Sequence, residues 1–287
     1  MSGDTRIADV APGQTVEGIY AVVRKQRRLD KNGDAYLVVE LSDPTGRIEG
    51  RIWKNADWFD RNIREGDRVR AVGRGSKFRD QVQLEIRRLD KIELDGSDAP
   101  TEAFIPATSR DADDLAGELD FLISEITHPE QRALCEAVWQ GALRDDLLHS
   151  PATALDHHAH LGGLVEHTIA VTTICQAAAD RHPNLDRDLL TAAALLHDIG
   201  RAKELRAELV IEVDRAGGLV GHVLLTHELL LAAALDARLD VNATPWWPQL
   251  VHAVSSHHGP TERCRTREAV VLVSANALDA RLAQRDR

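Results

Sequence analysis

Alternating apolar and polar residues dominate the first ninety positions, most clearly in GDAYLVVELSD and QVQLEIRRL. That period of two is the mark of strands with one face on a core. It predicts strands at 16–29, 35–41, 46–54, 68–74 and 82–92, with a helical stretch at 55–63 between the third and fourth. The separators are turn chemistry: Asp30-Lys31-Asn32-Gly33, Asp43-Pro44-Thr45-Gly46 and the Gly73-x-Gly75 pair. Beyond position 108 the period changes to that of helices. Leu115, Leu119, Leu122 and Ile126 fall on one helical face, and the acidic run after Ser109 is a helix-start signal. Further helices are predicted at 129–143, 163–179, 187–197, 219–235, 246–258 and 267–282, with nothing but helix after the linker.

Five strands with a helix between the third and fourth follow the order of an OB-fold, a small Greek-key barrel; a generic small β-barrel is the alternative. The expected organisation is therefore an all-β OB-fold barrel at 1–95 and a small, Pro-bearing linker at 96–108. A helical connector at 109–150 and an all-α domain at 151–287 follow.

The whole chain, 287 residues with a formal net charge of −11, reads at first as a poor partner for nucleic acid. Divided by half, the number changes meaning. Residues 1–90 carry 18 Lys+Arg against 15 Asp+Glu, and 91–287 carry 17 against 31. Six of the eleven aromatic residues lie in the first 78 positions, whereas every histidine lies at or after His128. The front is mildly basic and aromatic; the back is acidic and histidine-rich. Three cysteines without a CxxC pair, no long apolar run and no signal-like N-terminus lead us to expect a cytoplasmic protein that does not enter membranes. Trp246-Trp247 and the apolar helical faces leave room for a homo-oligomer interface.

In the back half, candidate ligands recur against apolar neighbours: His167, His197-Asp198, His222, His257-His258 and Asp279. Imidazole with carboxylate suits divalent Mn, Fe, Co, Mg or Zn. Seven ligands exceed one tetrahedral site, so two ions bridged by an aspartate is the economical reading, and such centres suit displacement at phosphorus. His128, His149, His182, His227 and His252 read as structural or surface residues.

The text PATALDHHAHLGGLVEHT, LLTAAALLHDIGRAKEL, GGLVGHV, LVHAVSSHHG and NALDARL resembles the HD-domain metal phosphohydrolases, and specifically the YhaM-type 3′→5′ exoribonucleases. The resemblance extends over the barrel, which that family places ahead of its HD domain. It implies a hydrolase that uses two divalent ions, Mn²⁺ first, to activate water against the 3′ end of single-stranded RNA, with single-stranded DNA as a further substrate. The products would be nucleoside 5′-monophosphates. His167, His197, Asp198 and Asp279 would hold one ion, and His222, His257 and His258 the other, with Asp198 shared. His157, His158 and His160 would contact substrate phosphate. The family's usual Lys three places beyond the HDxG Asp is replaced by Arg201, with Lys203 as a partial substitute.

In the barrel, Arg27 and Arg28 near the end of the first strand, and Lys77 and Phe78 in the expected loop at 73–80, are candidate nucleic-acid contacts. Tyr36, Arg51 and Trp53 are expected to share a face, with Trp53 equally readable as core. Two rival functions stay open: a phosphohydrolase of small nucleotides, and a single-strand-binding protein whose HD domain is only a scaffold.

Overall fold

The computed structural model describes residues 4–79, 81–92 and 104–285, so most of the expected linker lies outside the described residues. The chain divides into two compact units. The first comprises Met1–Ala107 with Ala207–Ile211, and the second Thr108–Arg206 with Glu212–Arg287.

In the first unit, β1 (Thr15–Leu29), β2 (Ala35–Asp43), β3 (Gly46–Ile52), β4 (Arg68–Phe78) and β5 (Gln81–Lys91) form a closed barrel in the order β1-β2-β3-β5-β4. A short helix, α1 (Ala56–Asn62), lies between β3 and β4 in sequence. β1 runs antiparallel to both β2 and β4, and the barrel closes through a parallel pairing of β3 with β5 at Glu49↔Gln83 to Arg51↔Glu85. Val16, Val22, Leu37, Val39 and Leu84 fill the interior, as the alternation requires. This is the OB-fold order.

One expectation needs correction. The segment at 73–78 is not a loop: β4 continues to Phe78, which pairs with Gln81. Gly75 was read as turn chemistry, but a Cβ there would stand 2.2 Å from the Ala11 carbonyl oxygen. Its smallness serves a close backbone approach inside a strand, not a turn.

The second unit is mainly helical: α2 (Ala112–Ser124), α3 (Pro129–Trp139), α4 (Arg144–His149), α5 (Gly163–Arg181), α6 (Arg187–Leu196), α7 (Arg201–Glu204), α8 (Arg215–Val220), α9 (His222–Asp236), α10 (Trp247–Ser256) and α11 (Arg267–Ala283). Asp111 caps α2, accepting from the backbone N–H groups of Asp113 and Asp114, the pairing that relieves unsatisfied donors at a helix start. A two-stranded sheet of β6 (Leu205–Ala207) and β7 (Ile211–Val213) interrupts the helices, against the expectation of helix alone. The stretch at 219–235 likewise divides at Gly221, whose φ is +80°. Trp246 and Trp247 are 8% and 7% exposed and belong to the unit's own core; they offer no oligomer interface.

α6 is the spine of this unit. Every residue from Leu189 to Leu196 is buried, and the Trp139 indole N–H donates to the Leu195 carbonyl at 2.9 Å. The next residues, His197 and Asp198, are therefore delivered into the interior. At Gly200 the chain turns against the start of α9: a Cβ there would lie 2.2 Å from the His222 carbonyl oxygen and 2.6 Å from the Thr226 nitrogen. Among the described residues no helix is long and apolar enough to cross a membrane.

The Gly200 contact predicts that Gly200→Ala destabilises the helical unit by about 1–3 kcal/mol, the usual cost of forcing a methyl into a packed interior. Chemical denaturation of wild type and variant measures it, and an unchanged midpoint would refute the close-contact account.

Candidate metal centre

Asp198 is 3% exposed, and its two carboxylate oxygens face different histidines. Oδ2 stands 3.9 Å from Nε2 of both His167 and His197. Oδ1 stands 3.2 Å from His257 Nε2 and 3.4 Å from His222 Nε2. Oδ1 and His257 Nε2 are nevertheless buried without a hydrogen bond, an expensive arrangement unless something else satisfies them.

The remote ring nitrogens explain why the near ones are free. His197 Nδ1 donates to the Ala194 carbonyl at 2.8 Å, and His257 Nδ1 to the Val254 carbonyl at 2.5 Å. His167 Nδ1 donates to Asp279 Oδ2 at 2.6 Å. A carbonyl can only accept, so His197 and His257 hold their proton on Nδ1 and aim the Nε2 lone pair inward. In consequence the Nε2 atoms of His167 and His197 face each other at 3.2 Å. Those of His222 and His258 do so at 2.8 Å.

The electrostatics keep His197, His222 and His258 in ligand form. Burial, reinforced by neighbouring imidazoles, pushes His197 and His258 down to about 3 against the pull of Asp198. Burial lowers His222 as well. Asp198 is held well below the carboxylate range: burial pushes it up, but His257, Arg201 and His197 overcome that. Neutral imidazoles around an ionised, unsatisfied carboxylate are the donor set that a divalent cation requires.

The inward atoms gather into two groups that share Asp198: His167, His197 and Asp198, and Asp198, His222, His257 and His258. Within each, the ligand atoms lie within 4.8 Å of one another. Six of the seven expected ligands are thus brought together. Asp279 is the departure. It lies outside those two groups: its Oδ2 accepts from His167 Nδ1 at 2.6 Å and from His158 Nε2 at 3.0 Å, and with these two histidines it makes a further group able to hold a metal ion.

Arg201 reaches the centre. It donates from Nη1 to Glu204 Oε2 at 2.6 Å and from Nη2 to His258 Nε2 at 3.4 Å, while Nε lies 3.6 Å from Asp198 Oδ1. Lys203 is exposed and has no ion pair among the described residues. Of the residues expected on phosphate, His157 keeps Nδ1 buried and without a hydrogen bond. His158 and His160 instead face carboxylates, His158 toward Asp279 and Glu166 and His160 toward Glu166.

Sequence reading missed Glu204 and Glu166. Glu204 accepts from the His222 backbone N–H at 3.1 Å and lies 3.3 Å from its Nδ1, fixing that ring from the outside as carboxylates commonly do for metal-binding histidines. The signal was present: Glu204 follows Arg201 by three residues, one helical turn. Glu166 sits beside His167 within an otherwise apolar segment.

On the barrel, Tyr36 and Trp53 stack with ring centroids 4.7 Å apart and planes 22° from parallel. Trp53 is 45% exposed, which excludes the core reading. The Arg51 guanidinium covers the Phe78 ring at 4.8 Å. Arg28 pairs with Tyr36 across β1 and β2, Arg27 is tied to Asp57 at 2.6 Å, and Lys77 is exposed on β4.

Residues 15–92 match the model for the OB-fold nucleic acid binding domain, and residues 164–281 match that for the HD domain. The 3′-5′ exoribonuclease YhaM of Listeria innocua is 27% identical over 290 residues, 99% of this chain and 91% of that protein. Over almost its whole length the chain is similar to that exoribonuclease, and it carries a match to an OB-fold domain and to an HD domain. The YhaM of Bacillus velezensis is 26% identical, covering 96% of this chain and 88% of its own. Among solved structures, the second OB-fold domain of replication protein A from Methanococcus maripaludis is 21% identical, with a TM-score of 0.27, over 32% of this chain and 97% of that one. The HD domain implies binding of a divalent metal, and the shared Asp198 and its histidines fit one.

Metal-stripped protein should accordingly gain stability when Mn²⁺ is restored: about 2.7 kcal/mol at a hundredfold excess over the dissociation constant. Asp198→Ala should abolish most of that gain. Thermal unfolding with and without ion measures it, and an equal shift in the variant would contradict the placement of Asp198 at the centre.

Proposed function

We propose that this protein is a metal-dependent 3′→5′ exonuclease that hydrolyses single-stranded RNA, with single-stranded DNA as a further substrate, to nucleoside 5′-monophosphates. The observation that carries this reading is the split environment of Asp198, with one oxygen toward His167 and His197 and the other toward His222 and His257. Such an arrangement suits a carboxylate shared by two ions, with Mn²⁺ the first choice. Bound cations of this kind supply positive charge to phosphate oxygens and lower the pKa of an attacking water.

The protein's own groups divide the remaining work. His197 and His257 are locked by backbone carbonyls and His222 is steadied by Glu204, so the centre is preorganised. Arg201, held by Glu204 beside Asp198 and His258, presents a guanidinium to the non-bridging oxygens of the scissile phosphate. As a planar fork it can engage two of them in a fixed bidentate geometry, where a lysine acts as a point charge. His157, with Nδ1 unpartnered, meets the adjoining phosphate. On the barrel, the Tyr36–Trp53 stack and the Arg51–Phe78 pair offer faces on which successive bases stack without sequence readout. A hydrolase of single nucleotides has little use for such a platform, which is why the exonuclease reading is preferred.

Incubation of the Mn²⁺-loaded protein with 5′-labelled single-stranded RNA should give a ladder shortening from the 3′ end. Asp198→Ala should yield none. Intact oligonucleotide alongside turnover of a free nucleotide would replace this reading by the mononucleotide one.

Trp53→Ala should weaken binding of a long single strand by roughly 5- to 150-fold, the equivalent of about 1–3 kcal/mol for one stacked base. It should leave cleavage of a dinucleotide nearly unchanged. Fluorescence anisotropy and a dinucleotide assay read the two arms, and equal loss on both would remove the barrel from strand binding.

A further inference from the structure

The strongest feature outside the shared Asp198 centre is the turn that precedes α5. His158 Nδ1, His160 Nε2 and Glu166 Oε2 converge there with all ligand atoms within 4.8 Å of one another. His160 Nε2 is 3.3 Å and His158 Nδ1 3.6 Å from the carboxylate oxygen. Ligands held about 2.1 Å from one ion stand about 3.0–3.4 Å apart, so small shifts of these side chains bring them to the spacing of a cation's donors.

Each member is also braced from behind, as ligands are. His158 donates from Nε2 to Asp279 Oδ2 at 3.0 Å, leaving Nδ1 to face inward. His160 donates from Nδ1 to the Leu161 carbonyl at 3.2 Å, leaving Nε2 inward. Glu166 receives the Thr108 hydroxyl on Oε1, leaving Oε2 inward. The backbone is bent to achieve this: His158 sits at φ +49°, a conformation that costs a non-glycine residue energy and clusters at functional sites. The side chains are 13%, 23% and 16% exposed for His158, His160 and Glu166, open enough for exchange with solvent and closed enough to exclude most of it.

We propose that His158, His160 and Glu166 form a further divalent-cation site, separate from the two ligand groups that share Asp198. Two imidazoles and one carboxylate suit Mn²⁺, Fe²⁺ or Zn²⁺, with the remaining coordination positions open to water or to a phosphate oxygen. His158 and His160 would then meet substrate phosphate through that cation, and Asp279, bonded to both His158 and His167, would link it to the shared centre.

The inference does not rest on nuclease activity, because bound metal is counted without substrate. Metal-stripped full-length protein is dialysed against Mn²⁺ and counted by inductively coupled plasma mass spectrometry. The comparison is wild type against Glu166→Gln, His160→Asn and Asp198→Ala. Glu166→Gln and His160→Asn should each hold one ion per chain fewer than wild type. In Asp198→Ala, anomalous diffraction at the Mn edge should still show an ion beside Glu166. Counts equal to wild type in both variants would overturn the site, as would loss of every ion from either folded variant or an Asp198→Ala crystal with no ion at Glu166. His160 is the most exposed of the three, so His160→Asn decides the matter if Glu166→Gln fails to fold.

Discussion

The second unit is organised around the burial of one carboxylate. Taking an aspartate out of water costs several kcal/mol unless its charge is answered, and Asp198 is almost wholly enclosed with Oδ1 making no hydrogen bond. The sequence around it enforces this position. α6 is buried at every position from Leu189 to Leu196, so the chain cannot rotate to return Asp198 to solvent, and Trp139 pins its last turn at Leu195. Around Asp198 the neighbouring elements contribute imidazoles whose protons are committed elsewhere. The interior is thus built to be incomplete, and a cation completes it.

That constraint explains which outer residues matter. A ring that must present a lone pair needs its other nitrogen satisfied, and the fold meets that need in two ways. His197 and His257 use carbonyls three residues earlier in their own chain, Ala194 and Val254, so helix geometry alone sets them. His167 and His222 have no such local partner and draw on carboxylates from other elements, Asp279 and Glu204. The distinction also accounts for the position of Asp279, whose Oδ2 takes up the Nδ1 proton of His167.

It further marks what the sequence could and could not disclose. The barrel was legible because β3 alternates cleanly and β2 in part, and because the helix between β3 and β4 narrows the topology. The β4 extension was not, since Gly75 permits a close backbone approach and a turn equally well, and only the neighbouring Ala11 decides. In the centre, His197-Asp198 and His257-His258 stood out as polar pairs in apolar segments. Glu204 and Glu166 did not, because an isolated glutamate on a helix is ordinarily a solvated residue. Their roles depend on His222 and His158, which only the folded chain brings to them. Trp246 and Trp247 erred the other way: two adjacent indoles suggested a surface for association, but the first turn of α10 turns both into the core.

Charge, which first argued against nucleic acid, ends by specifying the cations. Asp198, Asp279, Glu204 and Glu166 lie within or directly behind the cluster, and Arg201 is the guanidinium that reaches it. Four carboxylates against the Arg201 guanidinium and a His158 lifted to about 9 by Asp279 and Glu166 still leave an excess of negative charge, so a phosphodiester is repelled at short range, where solvent screens little. Neutral imidazoles cannot correct this, since burial holds His197 and His258 unprotonated far below neutral pH. The same acidity that repels the substrate from the bare protein draws divalent ions into it, and their charge reverses the sign of the site. The mildly basic barrel needs no such reversal: its aromatic faces and exposed arginines suit a phosphate backbone as they stand. Two units of opposite electrostatic character can therefore serve one anionic polymer, the first by its own side chains and the second only through the ions it holds.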